Sequence, residues 1–374
     1  MVLMFVFCLL NVAITSKSKH SKVNNIMNKM TKVASLAVAM AFSGVSNAAI
    51  GDYKVVLIHG FQPDQLQTQP SRTQVETEGA DYWKDYWMQY ADARIDWPSQ
   101  ERVEGKITSD YVWPKLQELS RNGTCQPGCI LVTHSTGDLV ARYLLDNQEN
   151  WLTNAGLTPL NVVATFDFAG AGGGSELGDI VINITEGGGW TNSAMRYAIS
   201  LWLGDTPNKN NTGVLNDLKV SNARQIAMLP DHRIPRIRFV GNGSDYFKAT
   251  ASFLPGKDDG VVAAHSSCGS SSSGSFDSCS THLAMDGKVS SQSKGVTSLM
   301  PNHYPFIMGN GYSHSEVIGS KHKGKVTSSN TSIALADGHS VKVDSYQQNG
   351  WFGSKYIYVQ GSQQDTMSEI AAGL

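Results

Sequence analysis

The sequence predicts an α/β fold in which a mostly parallel central sheet carries helices on both faces. Residues 53–58 and 130–132 support this prediction, because both have the near-continuous apolar pattern of buried parallel strands. The second run leads through a short turn into residues 139–144, whose apolar side chains recur at helical spacing. Strand and helix signals then alternate to about residue 319, as this layered fold requires.

The turn after the second strand, Thr133-His-Ser-Thr-Gly137, has a serine at its apex. A strand, a tight turn and a helix are the context of a nucleophile elbow, in which a strained serine needs small neighbours. Gly137 meets that need, whereas Thr133 stands where the G-x-S-x-G pattern has its first glycine. We therefore predict that Ser135 is a catalytic nucleophile, and a purely structural turn is the alternative.

The first strand ends in His59-Gly60-Phe61, a sharp turn that can direct a backbone N–H group toward the serine. The predicted donors of an oxyanion hole are the amides of Phe61 and Thr136. Backbone donors arranged around developing negative charge are each worth roughly 3–4 kcal/mol in acyl transfer. The alternative is a buried strand and turn without chemistry.

Four segments between Val55 and about Gly319 together resemble the secreted bacterial lipases and esterases of the α/β-hydrolase fold, especially the Pseudomonas/Burkholderia-type triacylglycerol lipases. The segments are the oxyanion strand at 55–61, the elbow and its helix at 130–145, the glycine-rich stretch 172–179, and Asp258-Asp-Gly-Val-Val262 with a later histidine. The chain departs from the family at Asp138, where a second glycine is common. It also has the run Phe168-Ala-Gly-Ala-Gly-Gly-Gly174 where the family usually carries Thr-Pro-His or Ala-Pro-His.

In enzymes of this fold the acid and the histidine follow the serine along the chain. The resembling lipases have their acid just before glycine in N-D-G-L-V, which implies Asp259, with Asp258 as the second candidate. Six histidines follow the acid: His265, His282, His303, His314, His322 and His339. His314 lies in residues 309–317, which resemble the loop that carries the general base, and we therefore predict His314 as the base. His134 is predicted to pack within the elbow.

These residues predict a serine carboxylic-ester hydrolase that works through a two-step acyl-enzyme mechanism and requires no cofactor. The resemblance implies that it is lipase-like and secreted. An acyltransferase would use the same triad, and an exported binding protein without catalysis on a hydrolase scaffold is a third interpretation. Several resembling lipases hold a structural calcium ion near the acid and the histidine. The resemblance implies that Glu316 stands at one of the ligand positions.

Residues 1–48 are predicted to be a signal or targeting region and are excluded from the fold. A basic segment at 28–32 precedes an apolar core at 33–45 and a Ser46-Asn47-Ala48 cleavage signal. The earlier apolar stretch at 2–14 is short for a membrane span. It either precedes the true start of translation or forms a membrane tether. We therefore expect a secreted or periplasmic protein.

Four of the five cysteines form two local pairs, Cys125/Cys129 and Cys268/Cys279, beside Gly- or Ser-rich sequence. Two loop-closing disulfides are expected in an oxidising compartment, although four cysteines allow three connectivities. A zinc site at Cys268, Cys279 and His282 is the competing interpretation.

Residues 49–319 are predicted to form the catalytic domain, with a lid-like insertion at about 176–230. Within the insertion, 191–203 is predicted to be an apolar helix, serving either as a lid or as an ordinary core helix. Residues 320–374 are predicted to be a β-rich extension of two or three antiparallel strands. The formal net charge of −2 and the lack of a basic stripe argue against nucleic acid. The expected partners are an ester or lipid substrate and, transiently, a lipid interface.

Overall fold

The computed structural model of the protein describes residues 50–188, 193–204, 212–228, 234–289 and 294–374. The described residues belong to one unit, Ala48–Leu374. The predicted signal region, 1–48, lies outside the described residues, as do positions 191–192 of the predicted apolar helix.

Seven strands form the central sheet: β1 (Lys54–Ile58), β2 (Ala93–Ile95), β3 (Cys129–His134), β4 (Val162–Phe168), β5 (Arg236–Gly241), β6 (His303–Gly309) and β7 (Val326–Ser328). Their order across the sheet is β2-β1-β3-β4-β5-β6-β7. All neighbouring pairs are parallel except β6 and β7. The mostly parallel sheet that the sequence predicts is therefore confirmed.

The described α-helices are α1 (Gln65–Thr68), α2 (Arg72–Trp83), α3 (Trp113–Asn122), α4 (Gly137–Asn154), α5 (Glu176–Asn183), α6 (Ser193–Leu203), α7 (Val220–Ala227), α8 (Ala264–Ser267) and α9 (Met367–Ala372). Capping boxes at Ser71 and Thr366 begin α2 and α9. Gly123 ends α3 in the left-handed conformation that favours glycine. In the described part of the chain, no helix has both the length and the apolar character needed to cross a membrane.

Helices cover both faces of the sheet. Successive side chains of a strand point to opposite faces, and the buried side chains belong to two separate hydrophobic clusters. Val56 packs in one cluster with Leu144 of α4. Its neighbour Val55 packs in the other cluster with Trp83 of α2 and Met367 of α9. Parallel strands flanked by helices on both faces, with a strand–turn–helix crossing after β3, define the α/β-hydrolase fold.

Helix α6 confirms the helix predicted within residues 191–203. Its buried side chains Ile199, Trp202 and Leu203 join the same cluster as Val56. Tyr197, on the same helix, is exposed. The helix therefore presents one face to the core and another face to solvent.

The predicted site residues follow the carboxyl ends of parallel strands. Phe61 comes after β1, Ser135 after β3, Asp259 after β5 and His314 after β6. Because parallel strands end at the same edge of a sheet, this topology gathers residues that lie far apart in the sequence.

Both predicted local disulfides are formed, Cys125–Cys129 and Cys268–Cys279. The second disulfide lies in a small hydrophobic cluster with Leu283 and Met308 of β6. Because its sulfurs are bonded to each other, Cys268 and Cys279 are not zinc ligands.

The last fifty-odd residues contribute two antiparallel hairpins, β8 (Ser332–Ala334) with β9 (Ser340–Lys342) and β10 (Ser345–Asn349) with β11 (Lys355–Val359). Residues 335–339 join β8 to β9, and residues 350–354 join β10 to β11. The hairpins therefore contain four strands, whereas two or three were predicted for this region. Strand β7 was not predicted from the sequence, since three residues are too few to show a clear alternation. It pairs with β6 at the edge of the central sheet and buries Val326 in the core.

Candidate active site

Ser135 stands at the apex of the turn between β3 and α4 with φ of 55°, a left-handed conformation that is rare outside glycine. A Cβ at position 137 would overlap the carbonyl oxygens of Ile58 and His59. A Cβ at Gly60 would lie 2.8 Å from the Cβ of Ser135. Glycine at these two positions therefore allows the β1 loop and the helix α4 to approach the strained serine.

Asp259 and His314 are joined by two hydrogen bonds. The ring of His314 donates from Nδ1 to Asp259 Oδ2 at 2.8 Å, and its backbone N–H donates to the Asp259 carbonyl at 2.9 Å. The other carboxylate oxygen, Oδ1, accepts from the amides of Val261 at 3.0 Å and Val262 at 2.7 Å. Because a carboxylate only accepts, the imidazole hydrogen lies on Nδ1, and Nε2 is the basic nitrogen.

His314 is the one histidine after the acid whose ring contacts Asp259 in the described structure. The rings of the other five histidines have different hydrogen-bond partners: Glu176 for His265, Pro301 for His303, Glu316 for His322, Asp337 for His339 and Thr281 for His282. Asp258, the second candidate for the acid, accepts a hydrogen bond from the Gly260 amide at 2.9 Å. Burial raises the pKa of Asp258 to about 6.

Ser135, Thr136, Phe61 and His314 line one cavity of about 60 Å³. Within the described residues, neither the Phe61 amide nor the Thr136 amide donates a hydrogen bond to another group. Two backbone donors without acceptors therefore lie beside the serine, as an oxyanion hole requires. Larger surface depressions of about 360–510 Å³ lie elsewhere on the molecule.

The predicted oxyanion turn is held by His59, whose role the sequence did not reveal. Its Nδ1 donates to the Gly60 carbonyl at 2.8 Å, which leaves Nε2 to accept from the Trp97 amide at 3.1 Å. The two rings stack with centroids 5.0 Å apart. Burial lowers the pKa of His59, so the ring stays neutral and keeps this pattern of one donor and one acceptor.

His134, predicted to pack within the elbow, also connects the elbow to the base loop. Its Nε2 lies 2.8 Å from the carbonyl oxygen of His314, so this nitrogen carries the hydrogen. Its Nδ1 then accepts from the hydroxyl of Tyr82. Burial lowers the pKa of His134 well below its usual range, and the nearby His314 ring lowers it further. A neutral His134 therefore ties α2, the elbow and the His314 loop together.

The two departures from the elbow motif take part in a buried polar network. Thr133 Oγ1 donates to Asp167 Oδ1 at 2.7 Å. Asp138 accepts from Arg238 at 2.7 Å and from Arg236 at 3.2 Å. Burial alone would raise the pKa of Asp138, but the two guanidinium groups hold it below its usual value. Thr133 and Asp138 thus both contact a buried cluster of charged groups, to which Asp138 contributes one carboxylate.

Arg238 extends this network to the loops around the site. Its guanidinium donates to the carbonyl oxygens of Gly170 at 2.9 Å, Ser267 at 2.9 Å and Ser266 at 3.3 Å. A Cβ at Gly170 would lie 2.6 Å from the Arg238 Nη2 atom. The glycine run after β4 therefore lets the backbone reach the arginine, and the arginine holds helix α8, which follows the Asp259 loop.

Asp245, which no sequence motif revealed, holds both neighbours of the predicted base. Its carboxylate accepts from the Ser313 hydroxyl at 2.5 Å, the Ser315 hydroxyl at 2.7 Å and the Ser315 amide at 2.8 Å. His314 lies between these two serines. The loop that carries the predicted base is therefore fixed from the β5 side as well as through Asp259.

Glu316, predicted as a calcium ligand, uses both carboxylate oxygens within the protein. They contact the Ser313 amide at 2.9 Å and His322 Nδ1 at 3.2 Å. Across the described ranges, no group of three or more His, Cys, Asp or Glu side chains has a metal-binding arrangement. A calcium ion held in part by Glu316 stays a prediction of the resemblance, and the proposed mechanism does not depend on one.

The chain is similar in structure to three bacterial proteins whose structures are solved. They are the mature Bacillus licheniformis lipase BlEst2 (14% identity, TM-score 0.40, 71% of this chain and 86% of that chain), Staphylococcus hyicus lipase (13%, 0.38, 72% and 89%) and EstA from Clostridium botulinum (13%, 0.38, 74% and 85%). No protein-family model and no curated protein sequence matches the chain. At these identities and TM-scores, the similarity says nothing about the chemistry of this site.

Proposed function

We propose that the protein is a serine carboxylic-ester hydrolase in which Ser135 is the nucleophile, His314 the general base and Asp259 the acid that orients it. The observation that carries the proposal is the 2.8 Å hydrogen bond from His314 Nδ1 to the buried Asp259 carboxylate, beside a strained serine. This bond leaves Nε2 as the base, which is the tautomer that serine activation needs.

In the first step, the Ser135 hydroxyl attacks the ester carbonyl and transfers its proton to His314 Nε2. The carbonyl electrons move onto oxygen, and the amides of Phe61 and Thr136 stabilise the oxyanion. When the tetrahedral intermediate collapses, the C–O bond to the alcohol breaks, and His314 returns the proton to the departing alkoxide.

In the second step, His314 takes a proton from water as the water oxygen attacks the acyl-enzyme carbonyl. The bond between Ser135 and the acyl group then breaks, and the serine recovers its proton. Asp259 remains ionised throughout and stabilises the imidazolium that forms twice in each cycle.

The proposal includes export, for which two features provide support. The signal-like pattern of residues 1–48 is the sequence feature, and the two disulfides are the structural feature. The disulfides suit an oxidising compartment. The narrower resemblance to Pseudomonas/Burkholderia-type triacylglycerol lipases stays a prediction of the sequence motifs.

The test is hydrolysis of p-nitrophenyl esters by the disulfide-intact protein and by Ser135→Ala, His314→Ala and Asp259→Asn. We expect each variant to lose most of the activity, whereas His282→Ala, which removes a histidine outside the site, should retain it. Activity that is unchanged in Ser135→Ala would overturn the proposal and favour a binding protein without this chemistry. A transfer product that dominates when an alcohol acceptor is added would assign the same triad to an acyltransferase.

A further inference from the structure

Trp202 of α6 lines the cavity that contains Ser135. The side chain is buried and lines the cavity, and its ring centroid lies 5.6 Å from that of Phe61. Trp202 therefore packs against the residue whose amide is proposed to bind the oxyanion. An acyl group attached to Ser135 would therefore occupy a cavity that has the indole ring as part of its wall.

Another wall of the cavity is rigid. Val261 and Val262 line it, and their amides are held by Asp259 at 3.0 Å and 2.7 Å. The Ser175 hydroxyl donates to the Val261 carbonyl at 2.6 Å, and the Ser175 amide donates to the Leu218 carbonyl at 2.9 Å. These residues cannot give way to a longer acyl chain without disturbing the hydrogen bonds of the acid.

The cavity is small for a fatty-acyl chain. Its volume is about 60 Å³, and a water-sized group needs about 10–15 Å³ on this measure. The space therefore accommodates roughly four to six such groups on that scale. An acetyl or butanoyl group is of this size, whereas an octanoyl group exceeds it. Half of the residues that line the cavity are apolar, namely Phe61, Pro63, Trp202, Leu218, Val261 and Val262. Such a lining suits an unsubstituted alkyl chain better than a charged one.

We infer that the enzyme acts on esters of short acyl groups, up to about butanoyl, and that Trp202 is the residue that sets this limit. The inference rests on the proposed function and adds the substrate class of the same site. Because Trp202 is the largest side chain lining the cavity, shortening it opens the acyl path more than any other single truncation there.

The experiment compares kcat/KM for p-nitrophenyl acetate, butanoate and octanoate in wild type, Trp202→Phe, Trp202→Ala and Tyr197→Ala. Tyr197 is the matched control, because it is an aromatic residue of the same helix that is 59% exposed. The ratio of octanoate to acetate activity is the readout. It does not depend on how much of a variant is folded, so partial loss of stability leaves it unchanged.

Wild type should favour acetate and butanoate over octanoate by about tenfold or more, which is the scale of discrimination by an apolar pocket. Trp202→Ala should raise the octanoate-to-acetate ratio by about tenfold or more, with Trp202→Phe between them and Tyr197→Ala equal to wild type. A wild type that prefers octanoate, or a Trp202→Ala ratio equal to wild type, would overturn the inference while ester hydrolysis itself stands. Absence of Ser135-dependent hydrolysis of all three esters would instead overturn the proposed function.

Discussion

The orientation of a single imidazole is the residue-scale feature on which the proposed chemistry depends. Asp259 uses one oxygen for two backbone amides and the other for His314 Nδ1. The amides fix the carboxylate, and the carboxylate fixes the hydrogen on the ring. Each carboxylate oxygen of Asp259 therefore has its own hydrogen-bond partners.

The separate partners of the two carboxylate oxygens predict the effect of Asp259→Asn. The amide oxygen of asparagine should keep the position facing Val261 and Val262, which turns its NH₂ group toward His314 Nδ1. The hydrogen of the ring must then move to Nε2, and the base is lost. We expect kcat to fall by about 10⁴-fold with little change in fold, the magnitude known for this substitution in a serine-protease triad. A loss below tenfold in steady-state kinetics would argue against Asp259 as the acid.

Asp258 differs from Asp259, because we expect its ionisation to affect the stability of the folded protein. Burial raises its pKa to about 6 from an ordinary value near 3.8. Between these pH values the folded state holds a proton that the unfolded state has released, so stability falls as pH rises from about 4 to about 6. Asp258→Asn should remove this decrease and flatten the profile. Urea unfolding across that pH range measures it, and an unchanged slope in the variant would contradict the prediction.

The roles of some of these residues could be predicted from the local sequence, and the roles of others could not. Ser135 could be predicted because a strand, a tight turn and a helix are contiguous. The contacts of His134 could not be predicted, because Tyr82 is 52 positions away and His314 is 180 positions away. Asp245 was missed for the same reason, since it contacts the base loop only after β5 and β6 pair.

At the scale of elements, the buried charges beneath α4 explain how the elbow departs from its motif. Asp138 belongs to the first turn of α4, and Arg236 and Arg238 belong to β5. The ion pairs therefore join α4, which follows β3, to β5. In the sheet, β4 lies between β3 and β5. Sequence showed the departures at Thr133 and Asp138, but their partners became visible only when β4 and β5 lay beside β3.

Asp138→Asn should be strongly destabilising, because it leaves arginine charge buried without its counter-charge. We expect a loss of about 3–5 kcal/mol in the free energy of unfolding. The control is Glu118→Gln, which breaks the solvent-exposed pair with Lys115 and should cost less than about 1 kcal/mol. Equal losses in denaturant unfolding would show that the buried cluster contributes no more than a surface pair.

The elements themselves were predictable to different degrees. Strands β1 and β3 and helix α4 were clear, because long buried runs give a strong periodic signal. The β-rich tail was also predicted, but with two or three antiparallel strands, whereas its two hairpins contain four. Strand β10 was not predicted, because its residues are polar and mostly exposed and show no apolar alternation. The short strand β7 was missed, because its place in the sheet is decided by pairing with β6.

At the scale of the whole molecule, the parallel sheet brings the residues of the candidate site together. Residues that follow β1, β3, β5 and β6 meet at one edge, although more than 250 positions separate Phe61 from His314. The cavity also includes Trp202 from α6. Motifs predicted the residues with chemical roles, but the shape of the cavity depends on helix packing, for which the sequence carries no local signal.

The most direct test of the central claim is the reaction of the native, disulfide-intact protein with a small dialkyl fluorophosphate, followed by intact-mass measurement and peptide mapping. We expect one phosphoryl adduct, located on Ser135. We expect no adduct on Ser135→Ala or on protein unfolded in urea, because only the folded sheet brings His314 and Asp259 to the serine. An unmodified native protein, or an adduct that persists in Ser135→Ala, would contradict the claim that this fold activates Ser135.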